Sequence, residues 1–395
     1  MPADIPQSHT QSHSHSRRHF LSVSATLTGS LVLGFHLPVM AASQTAERSN
    51  LNYAPVDPRV AAGIEINAWL VIHEDDSIVI RVAQAEMGQG VFTAMPMIIA
   101  EELEVDWRLV SAEYASARRS LQEANVYQRM ATGGSQAVRH SRQYLQQVGA
   151  EARERLIKAA AEQWHVDPSS CVADYGRVHH RSTGRSINYG AVAVAAAQVS
   201  VVNVGIKQPA QFGLLGVPTR RLDVPSKVDG SAVFGIDVRV PGMLYAAVKH
   251  CPVLGGRLRG FRFNAVREMS GVVQAVRLDA AVAIVGRTWW QASKAVDALP
   301  VDWLFGDAIK SSSELMRKEF VEALDQPGAA VKELGDAMRA MEDAETSIES
   351  DYILPYLAHN TLEPLNCTVW VQPDRVDVWG GFQDPEVVLR LTARL

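Results

Sequence analysis

From Ala68 to Gln84 the chain reads AWLVIHEDDSIVIRVAQ, with apolar and polar positions alternating on both sides of Asp75-Asp76-Ser77. A period of two broken by turn residues predicts a β-hairpin. The period then lengthens. In TAMPMIIAEELEV, residues 93–105, the spacing of Met97, Ile98 and Leu103 predicts a helix, with Thr93 as its expected N-cap. VSAEYAS, from Val110, predicts a further strand. ATGGSQAVRHSRQYLQQVGAEARERLIKAAAEQW, residues 131–164, is a glycine-rich loop running into a long helix. Its apolar stripe is Val138, Tyr144, Leu145, Val148, Ala152, Leu156 and Ala159, and Asp167-Pro168 ends the run. Two short strands are expected around Val172 and Ile187.

Residues 198–227 lack either period and read as loop. From Ala232 the pattern is β-rich again, through GVVQAVRL and AVAIVG, followed by a helix over TWWQASKAVDAL and a strand at VDW. SSSELMRKEFVEAL and KELGDAMRAMED predict helices. The last fifty residues predict three strands, a turn at Pro373-Asp374, and a helix in PEVVLRLTARL with one apolar face.

The first residues follow a different logic. Arg17-Arg18 precede a mildly apolar run from Phe20 to Phe35 and small residues at Ala41 and Ala42, the layout of an export signal. The apolar run is short of the ~20 residues that a membrane span needs. SRRHFL is similar to a twin-arginine signal, which implies export to the periplasm in a folded state; an uncleaved anchor or a chance arginine pair is the competing reading. The expected divisions are a leader over 1–44, a linker over 45–64, a first domain over 65–205, a linker over 206–225, an α/β domain over 226–305 and a last region over 306–395.

Composition narrows the chemistry by exclusion. With 47% hydrophobic and 21% charged residues the 395-residue chain is ordinary globular material, and its net charge of -5 offers no basic field for nucleic acid. The three cysteines, Cys171, Cys251 and Cys367, are far apart, so neither a zinc knuckle nor an iron–sulfur loop can be read from them. The histidines show no metal-ligand spacing, and no metal ligand is assigned.

Four stretches could carry chemistry. Gly88-Gln89-Gly90, just before a helix, is either a tight turn or a cradle in which backbone N–H groups approach an anion. Thr132-Gly133-Gly134-Ser135 repeats that arrangement before the long helix; two ordinary N-caps would read the same way. Glu363, before Pro364, is open to three roles: general base, metal ligand or ion-pair partner. Gln383 follows a glycine pair in GGFQDPE.

Taken together, EMGQGVFTAMPMIIAEELEVDW, TGGSQAV, RLDVPSKVDGSAVFGIDVRVPGMLYAAVKHCPVLGG and YLAHNTLEPLNCTV resemble one family. It is the molybdopterin-binding large subunit of the xanthine dehydrogenase and aldehyde oxidase type, in its isoquinoline 1-oxidoreductase β-subunit branch. The resemblance runs over residues 65–383. It implies an α+β molybdopterin-binding domain with an inserted α/β hammerhead domain. It implies that Gly88, Gln89 and Gly90 contact the pterin near molybdenum. Thr132, Gly133, Gly134 and Ser135 would touch the pterin or its dinucleotide tail, Gln383 would lie near the metal's oxo ligand, and Glu363 would line the approach. The implied cofactor is a molybdopterin cytosine dinucleotide with molybdenum. The implied reaction is hydroxylation of an N-heteroaromatic or aldehyde carbon with oxygen from water. Electrons would leave to a small partner subunit carrying 2Fe–2S clusters, with a c-type cytochrome as a further acceptor.

Two departures stand out. The family's glycine-rich GGGFG loop and its late glutamate are not found in this sequence, and the usual PTQ context of the glutamine reads GFQ here. These departures predict an incomplete site and a chain inactive by itself. Two other classes compete with the enzyme: an exported binding or scaffold protein that keeps the fold without the metal, and a hydrolase built on Glu363, for which no nucleophile motif exists.

Overall fold

The computed structural model describes residues 63–306 and 311–394. The expected leader and nearly all of the first expected linker lie outside the described residues. Two compact units form: residues 63–235 with 374–376 and 380–394, and residues 236–373 with 377–379.

In the first unit the hairpin predicted around Asp75-Asp76-Ser77 is present. Strands β1 (Ile64–Asn67), β2 (Leu70–Ile72) and β3 (Ile78–Val82) form an antiparallel meander. Helix α1 (Val91–Leu103) then crosses over to β4 (Val110–Tyr114), which pairs parallel to β3. A parallel neighbour requires such a crossover, because a tight turn can join only antiparallel strands. A short helix α2 (Ala117–Gln122) and the long α3 (Ala137–Trp164) follow. Most of the predicted stripe on α3 is inside, with Leu145, Ala152, Leu156 and Ala159 buried, whereas Val138 in the first turn is exposed. Helices α1 and α3 pack so closely at Gly149 that a Cβ there would stand 2.4 Å from the Ile99 carbonyl oxygen.

A small antiparallel sheet of β5 (Cys171–Asp174), β6 (Arg177–His180) and β7 (Ser186–Asn188) comes next. Its middle strand is not expected from the sequence. RVHH carries two histidines and no alternating apolar face, and pairing on both edges, not side-chain pattern, makes it a strand. Helix α4 (Tyr189–Gln198) closes the core, where the buried Tyr189 hydroxyl donates to the Leu103 carbonyl at 2.7 Å.

The stretch expected as a linker over 206–225 is bound to α1 instead. The side chains of Glu101 and Glu102 are buried and accept its backbone N–H groups. Lys207 N donates to Glu102 (2.9 Å), and Gly213, Leu214 and Leu215 donate to Glu101 at 2.7–3.1 Å. Lys207 Nζ adds an ion pair to Glu101 at 2.7 Å. Adjacent glutamates on an amphipathic helix read as a solvated face; here they hold a strap. Unpaired, a buried carboxylate would be prohibitively costly, so the strap and the two glutamates require one another. A one-turn helix α5 (Val224–Val228) ends it.

The second unit begins with β8 (Tyr245–His250), β9 (Arg257–Phe261), β10 (Val272–Arg277) and β11 (Ala281–Gly286). Helix α6 (Trp289–Ala298) and β12 (Val301–Leu304) complete its ordered core. Strands β10, β11 and β8 form one antiparallel sheet, and β12 and β9 form another. β11 reads AVAIVG and is buried at every residue, as a central strand must be. Helices α7 (Ser313–Leu324) and α8 (Ala337–Glu342) follow the predicted positions. Strands β13 (Cys367–Val371) and β14 (Val376–Gly380) pair with each other. The third strand expected in this stretch does not form: residues 346–366 make no strand pairing. Helix α9 (Pro385–Ala393) belongs to the first unit, with Asp384 as its N-cap.

Candidate functional site

The two glycine loops of the first unit meet. Ala85 N, at the mouth of the Gly88-Gln89-Gly90 loop, donates to Thr132 Oγ1 at 2.8 Å. Thr132 is also where Gln383 docks. Thr132 N donates to the Gln383 carbonyl at 2.7 Å, and Gln383 Nε2 returns a bond to the Thr132 carbonyl at 3.2 Å. Three of the four candidate stretches are therefore joined through one nearly buried threonine. The fourth is elsewhere: Glu363 belongs to the second unit, where its carboxylate accepts from Ile236 N at 2.9 Å and Asn366 Nδ2 at 2.8 Å.

The first loop differs from expectation in who caps the helix. The N-cap of α1 is Gly90, in the left-handed region at φ 91°, not Thr93. Thr93 is buried inside the first turn, and its Oγ1 accepts from Leu222 N of the strap at 2.9 Å. The N–H groups that would otherwise face a ligand are taken by Glu86. One carboxylate oxygen accepts from Gly88 N (2.7 Å) and Gly90 N (2.9 Å), and the other from Phe92 N (3.0 Å). Burial opposes the Glu86 charge. The three N–H groups and Arg221 outweigh it, and the carboxyl sits below its ordinary range. Arg221 pairs with Glu86 at 3.1 Å and donates to the Gly88 carbonyl at 2.9 Å. It is held in turn by Asp223 at 2.7 Å. Arg221, with Lys227 beside it, draws the Asp223 carboxyl far below the usual carboxylate range. Gln89 folds back on its own loop, accepting from Met87 N at 2.6 Å and donating to the Ala85 carbonyl at 2.9 Å.

The second loop has the opposite character. Gly134 and Ser135 both have positive φ, at 61° and 54°, and Gln136, the N-cap of α3, makes no side-chain capping bond. Among the described residues, the N–H groups of Gly133, Gly134 and Ser135 have no hydrogen-bond acceptor. Free donors at the start of a 28-residue helix face the positive end of its dipole outward. Beside them lies a cavity of about 230 Å³ lined by Gln84, Arg129, Gln136, His140, Ser141 and Tyr144. Gln84 is 3% exposed, donates to the Arg129 carbonyl, and has its Oε1 buried with no partner.

These features bear on whether a phosphate-bearing pterin fits. A Cβ at Gly88, Gly90 or Gly133 would meet nothing within 4 Å, so space is open in front of both loops. The donors that suit phosphate are those of the second loop, with Arg129 and His140 close by. An unpartnered amide oxygen suits a ligand N–H. The donor set fits such a group at the second loop; the first loop contributes open space and a side-chain amide. Among the described residues no cluster of His, Cys, Asp or Glu could hold a metal ion by itself, and no helix is long and apolar enough to cross a membrane. Cys367 is half-buried, and burial pushes its thiol up, which suits a packed side chain and not a nucleophile.

Sequence reasoning misses Glu86 and Arg221. Glu86 stands inside the EMGQG run, and a carboxylate two residues before a Gly-x-Gly turn at a helix start is a legible signal. Arg221 has no such local signal, because its contacts with Glu86 and Gly88 span more than a hundred residues.

Comparison with known proteins fits this geometry. Residues 40–221 match the family described as the molybdopterin cofactor-binding domain. That stretch contains both glycine loops, Glu86 and Arg221. The chain is 31% identical to the isoquinoline 1-oxidoreductase β-subunit of Brevundimonas diminuta, over 94% of this chain and 52% of the relative. It is 26% identical to a membrane-bound aldehyde dehydrogenase (pyrroloquinoline-quinone) of Gluconacetobacter polyoxogenes, over 96% of this chain and 49% of the relative. It is 24% identical to one subunit of the nicotinate dehydrogenase of Pseudomonas putida, over 82% of this chain and 28% of the relative. The resemblance in the motifs is borne out, and the fold is that of an α+β molybdopterin-binding domain. The chain spans about half the length, or less, of the curated relatives it matches.

Proposed function

We propose that this chain is the molybdopterin-binding part of a molybdenum-dependent oxidoreductase large subunit. It would hydroxylate an N-heteroaromatic or aldehyde carbon with oxygen from water and pass electrons to a small iron–sulfur partner. The observation that carries this reading is the junction at Thr132, where the uncapped loop before α3, the Gly88-Gln89-Gly90 loop and Gln383 are hydrogen-bonded together.

When bound, the molybdenum–pterin group supplies the two-electron change and activates the water-derived oxygen. The chain's residues bind and orient it. The N–H groups of Gly133, Gly134 and Ser135 receive phosphate oxygens at the positive end of α3. Gln84 Oε1 accepts an N–H from the bound group. Gln89 turns its amide outward; it gives up two exposed bonds within its own loop, a cost of about 1 kcal/mol each. Glu86 and Arg221 keep that loop open by holding Gly88 and Gly90 in their left-handed conformations. Gln383, fixed by Thr132, presents its amide beside the same loops. The dinucleotide is proposed to be the cytosine form, and the working compartment the periplasm, reached through the twin-arginine leader. The chain by itself is proposed to be inactive.

The test is co-expression with a small iron–sulfur subunit in a molybdenum-replete host, followed by metal analysis and pterin fluorescence of the purified chain. About one molybdenum and one pterin per chain are expected, with both lost in Gly134→Val. A chain that folds normally and carries neither would overturn the proposal in favour of a cofactor-free scaffold.

A further inference from the structure

Helix α6 turns Ala292, Ala295 and Val296 into the core of the second unit, where they are buried with Ala247, Val282 and Ile284. Trp303 on β12 packs against the same core. Trp289 and Trp290, in the first turn of α6, do not: they are 58% and 63% exposed. The backbone beneath them is well held. Thr288 Oγ1 caps the helix by accepting from Gln291 N at 3.3 Å. Arg287 N donates to the Gly271 carbonyl at 2.9 Å, and the Gln291 amide fills the space in which a Cβ at Gly271 would stand. The turn before Gly271 therefore lies beside the start of α6, and it exposes Met269. Three large apolar side chains share this end of the unit.

Their surroundings are cationic. Lys294 Nζ stands 4.5 Å from the centroid of the Trp290 ring. Arg287 and Lys294 are exposed, and among the described residues neither forms an ion pair. Arg267 is exposed as well and pairs with Glu268 at 3.0 Å. Asp297, a turn beyond Lys294, is the other acid here. Residues 236–305 as a whole hold nine basic and five acidic side chains, in a chain whose acidic residues outnumber its basic ones by 43 to 38.

Area and charge decide what this end meets. A tryptophan side chain offers about 150–250 Å². Two rings at these exposures and one methionine fall well short of the about 800 Å² per partner of a stable protein interface. A bilayer surface requires no shape-matched partner. Its interfacial layer takes indole rings, with the apolar body inward and the N–H toward the headgroups. Its anionic lipids attract unpaired Arg and Lys, whose aliphatic stems lie along the apolar surface.

We infer that Trp289, Trp290 and Met269, with Arg287 and Lys294 beside them, form a docking site for an anionic lipid surface, on which the chain rests without spanning it. The inference uses no residue of the glycine loops, so it can fail while the cofactor reading stands, and the reverse.

The experiment is flotation of the full chain with vesicles of phosphatidylcholine, alone or with about one-third phosphatidylglycerol, read together with quenching of tryptophan emission by brominated lipid. Binding to the anionic vesicles is expected to exceed binding to the neutral ones by at least about ten-fold and to fall as salt is raised. Arg287→Glu with Lys294→Glu should lower it by at least about ten-fold. Trp289→Ser with Trp290→Ser should remove both binding and quenching, whereas Trp289→Phe with Trp290→Phe, which keeps apolar rings, should retain binding. Hydrogen exchange in β11 and α3 should match the parent in every variant, which shows that each still folds. Three results would overturn the inference. The first is no preference for anionic vesicles. The second is binding and quenching unchanged in the double serine variant, which would assign the lipid contact to another segment, such as the apolar run from Phe20 to Phe35. The third is a sedimentation mass that rises with the chain's concentration and is lost in the serine variant, which would assign this end to a second copy.

Discussion

Thr132 and Gln383, 251 positions apart, exchange two hydrogen bonds: Thr132 N to the Gln383 carbonyl at 2.7 Å and Gln383 Nε2 to the Thr132 carbonyl at 3.2 Å. The threonine hydroxyl meanwhile accepts from Ala85 N. Removing that hydroxyl strands a part-buried N–H, whereas removing the Gln383 side chain leaves the backbone bond in place. Thr132→Val is expected to destabilise the first unit by roughly 1–3 kcal/mol and Gln383→Ala by under about 1 kcal/mol. Urea unfolding of both variants checks the order; the reverse order would mean that the loops are not joined at Thr132.

Acid should loosen the same region. The carboxyls of Glu86, Glu101 and Asp223 are all held below their ordinary values in the folded chain. The unfolded chain then binds more protons than the folded one as pH falls, so their stabilisation is present above the ordinary carboxylate range near about 4 and is lost below it. The urea midpoint is expected to hold from neutral pH to about pH 5 and then fall steeply. Glu86→Gln and Glu101→Gln should lower it at neutral pH and flatten the acid slope. An unchanged slope in both would show that these carboxylates are not what titrates.

Gly149→Ala separates two opposed effects. Alanine in a helix interior is favoured over glycine by about 1 kcal/mol. Here its Cβ would stand 2.4 Å from the Ile99 carbonyl oxygen and 2.8 Å from Glu102 Cβ. The backbones must part, and a net loss of about 1–3 kcal/mol is expected. A melting temperature equal to or above that of the parent would mean that α1 and α3 are not in such close contact.

Lys207→Met tests the strap. Glu101 keeps three backbone N–H donors from Gly213, Leu214 and Leu215 but loses its ion pair, while Glu102 keeps the backbone N–H at position 207. The core of the first unit should unfold at nearly the same urea concentration. Proteolysis between 206 and 217 should become several-fold faster, because opening of a surface segment tracks its local stability. Mass spectrometry of the first cleavage products reads this directly.

What is legible in the sequence follows from periodicity and punctuation. The hairpin around Asp75-Asp76-Ser77 and helices α3 and α6 follow from apolar spacing alone, which depends only on which face each residue presents. The glycine loops are equally visible, because only glycine takes φ near 91–105° at low cost. Strand β6 is not visible: its four residues have no pattern, and strand character there comes from pairing with β5 and β7. The strap over 206–225 is not visible either, since a segment without period is held by carboxylates a hundred positions earlier.

The sequence by itself determined most of the elements, the two glycine loops and the resemblance in the motifs, because these rest on local backbone preference and on unbroken runs of residues. Only the tertiary structure decided that Arg221 would bind Glu86 and the Gly88 carbonyl, and that Gln383 would join both loops through Thr132. Such choices depend on which polar groups are left without water when distant segments pack. No local pattern records that competition, and a buried donor or acceptor takes whichever partner the fold brings within about 3 Å.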